Sequence, residues 1–275
     1  MDVRAAPVKK LQFLKNGDKV KGVTDKFFFL TGLAIQCQNA APLSNRDTKA
    51  AEYPLDSSDN DNAGDTDLNI VTTIVLRNKS GPTGHVIPLL VSQRDGVLPT
   101  LSEFHYCKTD DRFGMESNTQ SFGMHLYPDV KLSRKTVRQK INEDRKLRTA
   151  IRITADLCQM KHYWRFENPE DLVTPKKLRE DLVAMGYDWD VLLDTRSWWT
   201  FNNTDPNLKP FLTTMDLLRM RKGLYHPYWL AQDKKTIVDI NTDKAHKAWI
   251  MGMVKKIKHV SFVEPEIEED DLVEV

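Results

Sequence analysis

Asn69-Ile70-Val71-Thr72-Thr73-Ile74-Val75-Leu76 is a run of β-branched and aliphatic side chains with no glycine, proline or charge inside it. Side chains branched at Cβ pack well on a pleated surface and lose rotamer freedom in a helix, so the run predicts a strand. Ser80-Gly81-Pro82-Thr83-Gly84 follows with turn chemistry, and His85 to Ser92 returns as the hairpin partner. Pro88 has no amide hydrogen to give a ladder, which places the returning strand at an edge or a bulge. The N-terminal half is therefore read as antiparallel sheet.

Upstream, Phe27 to Ile35 predicts a buried strand, with Gly32 at a bulge or close approach. Downstream, Glu103 to Lys108 and Ser121 to Tyr127 are shorter strand candidates. Between them, residues 44–68 are polar and acidic, culminating in Asp56-Ser57-Ser58-Asp59-Asn60-Asp61. That stretch has too little apolar surface to offset its ordering entropy and is expected to be a disordered loop.

Near Ser133 the hydrophobic period changes from two to about 3.6. Val137, Leu147, Ile151, Thr154, Ala155 and Cys158 then share one side of a single helix expected from Arg134 to about Gln159. Thr174 and Pro175 supply an N-cap and a first helical residue for a second helix, with Gly186 just past its end. Thr213 with Asp216 opens a third, closed by Gly223, and Asp243 to Lys258 predicts a fourth. The fold class is thus α+β: a β-rich region over 1–130, a helical region over 131–262 and an acidic, unstructured tail over 263–275.

The chain has 275 residues and a formal net charge of +1, so no global field draws it to polyanions. Local segregation of charge does. On a helical wheel, Arg134, Arg138, Arg145, Arg148 and Arg152 fall within an arc of about 80°, opposite the apolar side. A guanidinium fork binds two phosphate oxygens at once, so an open row of them suits a nucleic-acid backbone. Tyr163 and Trp164, in His162-Tyr163-Trp164-Arg165-Phe166, are the candidate rings for stacking on single-stranded bases. The expectation is a non-enzymatic nucleic-acid-binding or assembly protein, with RNA or single-stranded DNA as partner and with self-association. The alternatives are a protein-interaction or matrix-type protein without nucleic-acid binding, in which the arginines are a paired surface row, and a metal-dependent nuclease.

The nuclease alternative rests on Pro128-Asp129 with Asp144-Arg145-Lys146, which matches the PD…(D/E)xK pattern in letters, although Asp144 falls on a predicted helix where the chemistry wants a strand. His105-x-Cys107 lacks a second ligand pair, so no metal site is expected, and no catalytic residue is assigned. There is no glycine-rich phosphate loop, hence no expected cofactor. Three distant cysteines, no signal-like apolar run and no spanning segment point to a reduced compartment, cytoplasmic or nuclear rather than secreted. The acidic tail, Glu264 to Asp271, is a solubilising segment, a competitor for the arginines or a docking peptide for a partner protein.

Gly84-His85-Val86-Ile87-Pro88-Leu89-Leu90-Val91, followed by Phe122 to Leu132, resembles the β core of plant-virus movement proteins, and the general layout is similar to small viral matrix and nucleocapsid proteins. The likeness covers a minor part of the chain. It implies a viral-type structural or movement protein, but Gln93 occupies the place of the aspartate that pattern carries.

Overall fold

The structure is a computed structural model, which describes residues 30–44, 51–55, 67–79, 81, 83–117, 121–163, 172–197 and 208–260. The chain divides into two compact units, residues 1–177 and 178–275. The acidic run 56–65, Trp164 and the tail after 263 lie outside the described residues.

In the first unit, β1 (Leu33–Pro42), β2 (Leu68–Asn78), β3 (Val86–Ser92) and β4 (Gly96–Val97) form one antiparallel sheet in that order. The β-branched run is β2, at the centre, and Thr72 pairs with Pro88 of β3. β4 covers only Val91 and Ser92, so Pro88 needs no donor on its outer side. The strand expected over Phe27 to Ile35 begins at Leu33 in the described residues and is largely exposed rather than buried, because β1 is an edge. A second sheet joins β5 (Met115–Ser117), β6 (Phe122–Met124) and β7 (Tyr127–Leu132).

Glu103 to Lys108, expected as a strand, is instead part of helix α1 (Pro99–Thr109). Its short alternation of polar and apolar residues imitates period two. Pro99 in the first turn and the buried set Leu101, Phe104 and Cys107, spaced by three, favour the helix. Buried Ser102 on α1 donates to the Leu98 carbonyl and accepts from the Leu90 amide, closing the outer edge of β3.

The single helix expected from Arg134 is two helices, α2 (Val137–Glu143) and α3 (Arg145–Tyr163). Asp144 between them is extended, at φ −108 and ψ 110, and its Oδ1 accepts from the Leu147 amide as the N-cap of α3. A side-chain cap competes with helix continuation here and wins. The apolar side is nonetheless as read: Val137, Leu147, Ile151, Thr154, Ala155 and Cys158 are all buried. They pack with Leu68, Leu90, Phe104 and Met124 in one core. This core carries the first unit past the change of period near Ser133 and through α3.

Tyr53 lies within the stretch expected to be a disordered loop, yet it is 1% exposed and part of that core. Its hydroxyl bonds His105 Nδ1 at 2.9 Å. Among the described residues 51–55 the loop expectation is therefore corrected: one aromatic with a satisfied hydroxyl anchors an otherwise polar segment.

α4 (Pro175–Ala184) starts after Thr174, whose Oγ1 accepts from the Lys177 amide. In the second unit, α5 (Trp189–Leu193) is capped by Asp188. α6 (Thr214–Arg221) has the full capping box between Thr213 and Asp216, and α7 spans Lys244–Val260. Trp189 and Trp229 are buried, and Trp229 donates to the Phe211 carbonyl.

Candidate metal centre

The five arginines do not form one open row. Arg134 lies in the turn before α2 and donates to the Ala51 carbonyl. Arg138 is 4% exposed, with its guanidinium 2.8 Å from Asp67 Oδ2 and 3.3 Å from Asp95 Oδ2. Arg148 donates to the Ile141 and Asn142 carbonyls at the end of α2, where helix carbonyls lack internal partners. Arg152 is largely buried 3.8 Å from Asp156, and burial lowers its pKa against the pull of Asp156 and Glu103. Arg145 is engaged within the fold as well. Tyr163 ends α3, half-buried, with its ring 4.8 Å from that of His85. Asp129 is on β7 and Asp144 caps a helix, so the two acids of the nuclease pattern do not share adjacent strands.

What the fold does assemble is a cluster that local sequence reading misses. Asp110 is the C-cap residue of α1, and Cys158 and His162 lie one turn apart on α3. The Cys158 thiol donates to Asp110 Oδ2 at 3.1 Å, and His162 Nε2 donates to Asp110 Oδ1 at 3.0 Å. One oxygen, one sulphur and one nitrogen donor thus lie within 4.8 Å of one another. Cys158 is fully buried at the base, while Asp110 and His162 form the accessible rim.

The surroundings favour positive charge. Helices α1 and α3 both end at this cluster, and the C-terminal end of a helix carries a partial negative charge. Burial opposes ionisation of Asp110, but hydrogen bonds from Cys158 and His162 and the charges of His162 and Lys161 outweigh it and hold the carboxyl below its usual range. The Lys161 ammonium stands 3.7 Å from Asp110 Oδ2. Cys107, also fully buried, sits against Cys158, and that contact together with burial pushes its thiol pKa far up, so it stays protonated.

Nearby, buried His85 Nε2 has no hydrogen-bond partner among the described residues, and the buried Tyr106 hydroxyl has only the Cys158 sulphur beside it. Burial raises the Tyr106 pKa, and the neighbouring Cys158 and Asp110 add to the rise. Burial and then the His162 charge lower that of His85. Buried polar groups are almost always satisfied, so such an orphan marks a place suited to a further polar species.

The donor set fits a transition metal. A tetrahedral zinc holds sulphur at about 2.3 Å and nitrogen or oxygen at about 2.0 Å, which puts donors roughly 3.3–3.8 Å apart. Sulphur and oxygen stand 3.1 Å apart and nitrogen and oxygen 3.0 Å apart, close to those spacings. The helix expected to about Gln159 stops short of His162, so the Cys-x3-His spacing of Cys158 and His162 is not read as a pair, and no local spacing links either to Asp110, 48 residues from Cys158. No known protein family, curated protein or solved structure matches this chain.

Proposed function

We propose that this protein binds a divalent transition metal, zinc foremost, through Asp110, Cys158 and His162. The observation that carries the reading is the convergence of three different ligating atoms at the joint ends of two helices. A thiolate with an imidazole selects zinc or its neighbours over magnesium or calcium, which prefer oxygen alone. Binding would release the Cys158 proton to solvent and leave His162 protonated on Nδ1 rather than Nε2, so that the sulphur, Nε2 and the Asp110 carboxylate could all face the ion in place of their present hydrogen bonds. Three ligands from the described residues would leave a fourth position for a further group, as in sites that exchange ligands. Nucleic-acid binding through the arginines has less behind it, because those side chains are already engaged within the fold.

Cobalt(II) titration of the reduced chain in a Cys37→Ser background tests the reading, since Cys37 is the exposed thiol. One equivalent should give tetrahedral d–d bands and a thiolate-to-cobalt charge-transfer band, both displaced by zinc. Cys158→Ser should remove the charge-transfer band, and His162→Ala should weaken binding at least about tenfold. A band that survives in Cys158→Ser, or wild-type binding no tighter than that of the variants, overturns the proposal.

A further inference from the structure

Beside the cluster, the next face of α3 lines a hollow of about 320 Å³. Among the described residues its walls are mostly apolar, with Phe113, Leu157, Met160, Leu172 and Val173, and Thr174 and the charged Lys161 complete the lining. That volume is at the small end of cavities that hold organic ligands. Lys161 connects hollow and cluster. Its ammonium stands 3.7 Å from Asp110 Oδ2 and 5.2 Å from the centre of the Phe113 ring.

Charge accounting then specifies what belongs at the open position. Without metal, the Asp110 carboxylate offsets the Lys161 ammonium. A divalent ion takes the charge of Asp110 and of the Cys158 thiolate, and neutral His162 adds none. A metal with these three ligands would be neutral, and the Lys161 cation would be left without an anionic partner. One anion on the fourth position restores neutrality and meets Lys161 at the same time. An apolar hollow next to an anion position fits a ligand with an anionic head and a hydrocarbon body.

We infer that the site takes a small monocarboxylate with an apolar tail: the carboxylate occupies the metal's open position beside Lys161, and the tail lies against Leu157 and Met160. This rests on the metal-binding reading above. No bond other than coordination forms, and the acid binds in the deprotonated form it has at neutral pH.

The test uses the full-length chain loaded with cobalt(II), with acetate and hexanoate as probes and the visible cobalt spectrum as readout. Both acids should perturb the spectrum, because both carry the head group. Hexanoate should bind roughly two-hundredfold more tightly, since each of its four extra methylenes transferred from water contributes roughly fourfold. Met160→Trp, which fills the hollow, should bring hexanoate down to the level of acetate. Lys161→Met should weaken both acids alike. Equal affinity for the two acids in the wild type would show an ordinary anion on an exposed metal and overturn the inference. Hexanoate binding seen by NMR line broadening, but unchanged by metal or by Cys158→Ser, would also overturn it, because the hollow would then act alone. Failure of the metal reading itself appears earlier and separately, as the absence of a cobalt spectrum before either acid is added.

Discussion

Glu103 on α1 faces Arg152 and Asp156 of α3, and its carboxyl is pushed up to about 7. Burial is the main cause and the Asp156 charge adds to it, while Arg152 pulls the other way. Between the ordinary value of 4.5 and about 7, the folded protein keeps a proton that the unfolded chain has lost. The unfolded state binds fewer protons across that window, so stability falls as pH rises through it and levels off above. The gap is equivalent to about 3 kcal/mol. Glu103→Gln keeps the shape and removes the ionisation. Below pH 4.5 the variant and the wild type should be equally stable, both being neutral at this position. Above pH 7 the variant should be more stable by up to about 3 kcal/mol. Urea unfolding followed by circular dichroism at both ends of the window measures the difference, provided the denaturant slope is the same for both proteins. Other acid-sensitive groups cancel in the comparison. A difference that stays constant with pH, or a variant less stable above pH 7, refutes the reasoning.

Gly114→Ala should destabilise the first unit by about 2–4 kcal/mol, read as a lower Tm. The position has φ +70, and a Cβ there would lie 2.5 Å from Thr154 Cγ2 and 2.8 Å from Pro175 Cγ. Arg138→Met should cost about 1–3 kcal/mol in urea unfolding, because the variant leaves Asp67 and Asp95 without the cation they share. The same variant should also be less acid-sensitive. Burial opposes ionisation of Asp67, but bonds from Arg138 and Ser92 hold its carboxyl below the usual value. The stability this brings is present above pH 3.8 and lost as pH falls through the lowered value, so it shrinks when Arg138 is gone.

Much of the fold was legible in local patterns. The β2 run, the cap at Thr174 and the Thr213–Asp216 box form as read, since each depends on residues no more than a few positions apart. The apolar side of the helical segment was correct too, because burial follows periodicity. The errors came where local signals compete. Alternation over Glu103 to Lys108 looks like a strand until Pro99 and the spacing of three are weighed. Asp144 read as an interior helical residue, yet its side chain capped α3. Tyr53 was lost in a polar stretch because one residue barely alters a composition average, though its packing on Phe104 is what fixes it.

From its own residues the sequence determined an α+β chain: a central β-branched strand, helices with legible caps, and a buried face containing Cys158. Only tertiary structure decided what the polar residues do. Whether an arginine meets solvent or a carboxylate depends on which distant segment folds against it, as Asp67 and Asp95 do against Arg138. The same holds for the Asp110, Cys158 and His162 cluster, because helix packing sets the distance between side chains far apart in the chain and no local spacing encodes it.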